Sequence, residues 1–128
     1  MTTGAWTEQE LAAIDRNDEV DIAPRRTDGS LAKPRIVWAV RVEDAVYIRS
    51  VNGIEGAWYR TTRARREGHL TTGPIDRDIA FTDVEDTGGL QDRIDAAYRS
   101  KYARYRGPVA SITADKARAT TLRLTPQQ

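Results

Sequence analysis

Two apolar runs separated by a short polar break dominate the pattern of this chain. Ile36 to Val42 is apolar except at Arg41, Glu43 and Asp44 follow, and Ala45 to Val51 resumes the run with Arg49 and Ser50 inside it. β-Branched and aromatic residues on both sides of two polar residues predict a β-hairpin. Alternation assigns Val46, Ile48 and Ser50 to one face of the second strand and Tyr47, Arg49 and Val51 to the other. With Val46 and Ile48 toward a core, Arg49 faces whatever lies outside it. The first run, apolar at nearly every position, suits a strand buried on both faces near a sheet centre. Asn52 and Gly53 then favour a turn, because both tolerate positive φ cheaply.

Shorter signals place the other elements. Thr7 and Glu10 have capping-box spacing and Leu11 and Ile14 form a sparse stripe, which predicts a helix to about Asn17 after a loose start at Met1 to Ala5. Glu19 to Ala23 alternates like a brief strand stopped at Pro24, and Thr27 to Ser30 is turn chemistry, so Arg25 to Arg35 reads as a basic loop. Ala57, Trp58 and Tyr59 open a short arginine-rich helix, Gly68 breaks the chain, and His69 to Val84 forms a second hairpin around Gly73 and Pro74. Thr87 and two glycines open the longest helix, Leu90 to Tyr105, where Leu90, Ile94, Ala97, Tyr98, Lys101 and Tyr102 share one side. Arg106, Gly107 and Pro108 end it, a helical turn starts at Thr113, and Thr120 to Leu124 is a last strand closed by Pro126. This order implies the α+β class, a small antiparallel barrel with helices packed outside, in one domain spanning residues 1–128.

Composition narrows the chemistry. The absence of cysteine excludes disulfides and thiolate chemistry, and with His69 as the one histidine a multi-histidine metal site is not expected. No apolar run approaches the roughly 18 residues of a membrane span and no signal-peptide pattern opens the chain, so a cytoplasmic protein is expected, with no membrane partner. The net charge of +1 argues against a nucleic-acid partner. It also hides a segregation: ten basic residues against four acids from Arg25 to Arg66, then seven acids against Arg77 and Arg93 from Asp76 to Asp95. Either the middle of the chain builds one positive surface or the two segments neutralise each other in the fold. The bias of 17 arginines to 3 lysines reflects a GC-rich genome or anion recognition.

Each candidate for chemistry has a plainer alternative. Arg25, Arg26, Lys33 and Arg35 suit a phosphate clamp approached by Arg49 from the sheet, or a solvated loop. Trp58 and Tyr59 stack on a planar ligand or anchor the core. Tyr98, Tyr102 and Tyr105 lie near one stripe, where phenols line a pocket, donate protons or cap the barrel. His69 reads as structural, and the carboxylates Asp76 and Asp78, or Asp83, Glu85 and Asp86, fit turns and helix starts without a metal. No phosphate-binding loop of the Walker type, dinucleotide glycine fingerprint or nucleophile elbow is present.

Arg26-Thr-Asp-Gly, Lys33-Pro34-Arg35, the hairpin ending Tyr47-Ile48-Arg49-Ser50 and then Ala57-Trp58-Tyr59 resemble the deazaflavin-dependent nitroreductase-like group. That group belongs to the flavin-binding split β-barrels, which include pyridoxamine-phosphate oxidases. A closer resemblance, over almost the whole chain, is to a small bacterial family of unknown function. Its marks here are a start near Trp6, the Trp-Tyr-Arg segment, Ala97 to Tyr102, and Thr121 to Pro126. The resemblance implies a split β-barrel carrying FMN or a deazaflavin across its open side. It also implies cofactor contacts from Arg26, Lys33, Arg35, Arg49, Ser50 and Trp58, and Tyr98 and Tyr102 facing a small-molecule substrate as catalytic groups. Oxidoreductase activity would follow, and split barrels are often homodimers. A cofactor-independent tailoring enzyme (cyclase- or isomerase-like) and a non-catalytic ligand-binding module are the other readings of the same barrel. Here the basic loop is longer than the nitroreductase pattern, and Asp28 stands where a small neutral residue is usual.

Overall fold

Thr7 Oγ1 accepts the Glu10 backbone N–H at 3.1 Å, and the Glu10 carboxylate accepts the Thr7 N–H at 2.9 Å. This reciprocal cap starts α1 (Glu8–Arg16), which buries Leu11, Ala13 and Ile14. The computed structural model describes residues 5–85 and 88–127; the expected loose start at Met1 to Gly4, Asp86 of the acidic cluster and Thr87 before the long helix lie outside the described residues. Then come β1 (Val20–Pro24), β2 (Arg35–Val37), β3 (Ala39–Val42) and β4 (Ala45–Ile48), a short 3-10 turn (Gly53–Glu55) and α2 (Ala57–Arg65). The chain continues through β5 (Glu67–Thr72), β6 (Ile75–Asp83), α3 (Leu90–Lys101), α4 (Arg106–Ile112), α5 (Asp115–Arg118) and β7 (Leu122–Pro126). Every pairing is antiparallel, in the order β2-β1-β5-β6-β7-β4-β3. The sheet curls into a nearly closed barrel flanked by the helices, an α+β split barrel. Among the described residues no helix is long and apolar enough to cross a membrane.

The two edges of this sheet, β2 and β3, are consecutive in the chain and meet at Trp38. The run from Ile36 to Val42 is therefore not one central strand; it bends at Trp38 so that its halves close the barrel from opposite ends. Its continuous apolar character has another cause than two-faced burial. Val37 enters the barrel core, Val40 packs under α3, and Ile36 is left 62% exposed. The second strand follows the alternation: Val46 and Ile48 pack inside the barrel with Leu70, Ile79, Phe81 and Leu124. Tyr47 joins an outer cluster with Val40, Ile94, Tyr98, Tyr102 and Ile112, sandwiched between the sheet and the C-terminal helices.

Two expected breaks serve other purposes. The chain leaves α2 at Arg66, held at φ +57°, while Gly68 lies inside β5. A Cβ at Gly68 would stand 2.7 Å from the Ala23 carbonyl oxygen and 2.9 Å from the Phe81 ring. Gly68→Ala should therefore destabilise the barrel by about 1–3 kcal/mol, read as a lower urea midpoint at unchanged slope. Arg106, Gly107 and Pro108 do not end a helix but begin α4, since α3 has already stopped at Lys101. Proline is tolerated there because first-turn N–H groups have no intrahelical acceptor to lose.

Candidate functional site

The bend at Trp38 brings β2, the end of β4, the start of α2 and α4 around one groove of about 190 Å³, lined by Ile36, Val37, Trp38, Arg49, Val51, Trp58, Pro108 and Ile112. A shallower hollow of about 500 Å³ shares Val51 and Pro108 and extends toward Lys116. The groove is mostly apolar, and the indole N–H groups of Trp38 and Trp58 donate to no acceptor among the described residues. Ser50, next to Val51 in the chain, is only 1% exposed, and its hydroxyl makes no hydrogen bond among the described residues. That hydroxyl stands 2.4 Å from where a Cβ on Gly56 would be. Gly56 is the N-cap of α2 and supplies no side-chain acceptor, so the first-turn N–H groups of this nine-residue helix are uncapped.

Arg49 reaches the groove wall, but its donors point elsewhere. Nε donates to Thr121 Oγ1 (2.9 Å), Nη1 to Asp95 Oδ1 (2.5 Å) and the Ile112 carbonyl (3.2 Å), and Nη2 to the Gln91 carbonyl (3.3 Å) and Oε1 (2.6 Å). A guanidinium has five N–H groups, and these five bonds use them all. Its charge is met by Asp95 in a buried pair, with the Tyr98 ring centroid 5.5 Å away. In this arrangement Arg49 has no donor left for a phosphate. Its work is to tie the end of β4 to α3, α4 and β7.

Tyr98 and Tyr102 are also interior groups, both fully buried. The Tyr98 hydroxyl donates to the Trp38 carbonyl at 2.9 Å and that of Tyr102 to the Asp18 carbonyl at 2.6 Å. Burial raises both phenols well above their ordinary range, so neither is a ready proton donor near neutrality. Tyr102 stacks on Trp38 with centroids 3.9 Å apart, which fixes the ring that separates the groove from the helix layer. Beside it, Lys101 donates to the Ile14 and Ala39 carbonyls, and burial lowers its ammonium to about 8.

The loop cations divide. Arg26 folds back on its own loop, donating to the Leu31 carbonyl at 2.9 Å. Lys33 and Arg35 are exposed and make no side-chain bond or ion pair among the described residues, and Arg35 adjoins Ile36 of the groove. Asp28 is occupied locally: it accepts the Ser30 hydroxyl at 2.6 Å and the Ser30 N–H at 2.9 Å, which hold its carboxyl below the usual range. Of the residues singled out by sequence, Arg49 and Trp58 line the groove, and Ser50 and Arg35 border it in the chain. Arg26, Tyr98 and Tyr102 do not line it. Trp38, Ile36 and Val51 were not singled out.

His69 stands outside this site, on β5, with Nδ1 facing Asp78 at 2.8 Å and Nε2 facing Asp76. The hydrogen bond to Asp78, and then Asp76, raise its pKa above 6.5 against partial burial. A raised folded-state value means the clamp stabilises fully below about pH 6.5 and fades as pH rises through that value. Thermal melts should therefore show a larger loss of Tm from about pH 6 to about pH 9 in the wild type than in His69→Gln. Parallel curves would contradict the clamp.

A family model described as "Uncharacterized protein conserved in bacteria (DUF2255)" matches residues 10–124. The chain belongs to this family. No curated protein matches it. Among solved structures, this DUF2255 chain is similar to the heme storage protein HutZ from Vibrio cholerae (TM-score 0.67, 11% identity, covering 94% of this chain and 90% of that one). It is similar to an F420-H2 dependent reductase (TM-score 0.61, 12% identity, 85% and 94%). A FAD-binding protein from Mesorhizobium loti shares the architecture too (TM-score 0.56, 14% identity, 100% and 94%). At such identities the likeness is one of fold.

Proposed function

We propose that the chain is a cytoplasmic oxidoreductase that binds FMN or a deazaflavin along the Trp38–Trp58 groove and acts on a small organic substrate. The observation that carries this reading is the Ser50 hydroxyl, which makes no hydrogen bond among the described residues, set against Gly56 at the uncapped start of α2. An unspent hydroxyl packed against the free first-turn amides of a helix suits a phosphate. Lys33, from the preceding loop, and Arg35, at the start of β2, add exposed charge. Trp38 and Trp58 offer aromatic surface and free N–H donors to a planar ring, and Val51, Pro108 and Ile112 exclude water from it. When bound, such a cofactor supplies hydride transfer. Among the described residues no carboxylate, imidazole or phenol lines the groove, so the chain's own part is binding, orientation and shielding. Solved structures of the same fold described as F420-H2 dependent and FAD-binding support the cofactor class. The cofactor-free tailoring alternative would need accessible phenols, which the burial of Tyr98 and Tyr102 disfavours.

The groove is smaller than the roughly 300–1,000 Å³ of most small-molecule sites. Ile36, Val51 and Ile54 beside it are 62%, 46% and 66% exposed. A second copy of the chain covering these residues would complete the enclosure, so the working unit is a homodimer. Titration with FMN, and separately with an oxidised deazaflavin, followed by cofactor fluorescence should give saturable binding to one of them. Gly56→Ala, which pushes a methyl into the Ser50 hydroxyl, should weaken it about tenfold while the fold is kept. Absence of binding by both cofactors to well-folded wild type would refute the reading.

A further inference from the structure

A cavity larger than the groove lies away from it, on the outer face of the sheet where β4, β7 and the β3–β4 turn meet the start of α3 and the N-terminal segment. It measures about 600 Å³, with Trp6, Val42, Ala45, Leu90 and Pro126 supplying apolar wall. Tyr47 and Arg123, directly paired across β4 and β7, lie on its sheet side. Arg123 Nη2 donates to the Tyr47 hydroxyl at 2.8 Å, and the guanidinium also lies 5.5 Å from that ring's centroid. Arg123 has no carboxylate partner among the described residues.

The other charges of the cavity are already compensated or hydrated. Glu43 receives Arg93 at 2.8 Å, and Asp44 lies 3.8 Å from Arg41 with its side chain 91% exposed. In the adjoining hollow Asp83 is taken by Arg63 and Arg66, and Glu85 makes no ion pair with Arg123. Tyr47 is itself 2% exposed; its oxygen accepts from Arg123, but its own proton has no acceptor among the described residues. A phenol proton and the exposed guanidinium of Arg123, which has no carboxylate partner among the described residues, thus meet at a cavity with apolar groups on its wall. That combination matches a carboxylate, which accepts from both while the rest of its molecule stays on the apolar wall.

We propose that this cavity binds a small organic monoanion, a carboxylate on an aromatic or aliphatic body, with Arg123 and the Tyr47 hydroxyl as its anion grip. The lining holds two arginines and two carboxylates, so Arg123 is its one cation without an ion pair among the described residues. Glu43 and Asp44 at the rim oppose a second negative group, which favours a monoanion. The site is separate from the groove: Trp6, Tyr47 and Arg123 line this cavity, whereas Trp38 and Trp58 line the other.

The test is a titration of the isotope-labelled protein with benzoate and with hexanoate, following the indole N–H of Trp6 and the Nε–H of Arg123 by NMR. Benzamide serves as the uncharged control. Saturable shifts at both positions with an acid and none with benzamide are expected. Affinity should fall at least about tenfold in Arg123→Gln and less in Arg123→Lys, which keeps the charge but loses the planar fork. Saturating FMN should leave benzoate binding unchanged. Equal affinity in Arg123→Gln, equal binding of benzamide, displacement by FMN, or no saturation with either acid would each overturn the proposal.

Discussion

Replacing Asp95 with Ala should cost about 3–5 kcal/mol, because it strands the Arg49 charge in a site from which water is excluded. The Arg49 side chain has no exposure and that of Asp95 only 7%. The remaining partners, Gln91, Thr121 and the Ile112 carbonyl, carry no formal charge. Arg118, 3.6 Å from Asp95, loses one of its two carboxylates in the same step and keeps Asp92 at 3.2 Å. For a domain whose net stability is about 5–15 kcal/mol, this removes much of the margin. Urea unfolding should show the midpoint falling without a change of slope. Adding Arg49→Met to the variant should restore part of the loss, since the stranded charge then disappears. A loss below about 1 kcal/mol in Asp95→Ala would mean that the guanidinium relaxes into the groove, and would reopen a role for it toward a ligand.

Lys33→Ala combined with Arg35→Ala should do the opposite: little change in stability and a large loss of cofactor affinity. Both side chains are exposed and unpaired among the described residues, and such surface substitutions are usually within about 0.5 kcal/mol. Each charge-assisted bond to a phosphate is worth about 1.5–3 kcal/mol, so losing two predicts a fall of about a hundredfold or more. Affinity in the wild type should weaken as salt rises, because the charges involved are solvent-facing. Isothermal titration at two ionic strengths, with thermal melts as the control, separates the effects. Unchanged affinity in the folded double variant would remove both residues from the site.

Much of the fold was written in local pattern. The Thr7–Glu10 cap, the hairpin at Glu43 and Asp44, and the opposite faces of Val46 and Tyr47 all follow from spacing over a few residues. What local pattern misses depends on distant partners. Trp38 carries no glycine or proline to announce a bend; the bend arises because the two halves of one run close the barrel from opposite edges. Gly68 looked like punctuation, whereas its need for no side chain comes from Ala23 and Phe81. Pro108 fits a helix start as well as a helix end, and only the position of α3 decides.

The site divides the same way. Ser50 and Trp58 border the groove, while Arg49 is consumed by a buried network. A signal for that network was present: Gln91 and Asp95 lie one helical turn apart and lead along α3 to Tyr98, on its buried face. A carboxylate on such a face requires a cation, and Arg49 is the residue that an apolar strand delivers to it. Trp38 sits inside an apolar run, where an aromatic ring reads as core.

The decisive measurement is an NMR titration of the isotope-labelled protein with FMN and with an oxidised deazaflavin, resolved by residue. Shifts of the Trp38 and Trp58 indole N–H groups should saturate together with those of the Ala57, Trp58 and Tyr59 amides, giving one dissociation constant. Binding that leaves those signals unmoved, or moves only residues elsewhere on the barrel, would contradict the groove as the cofactor site.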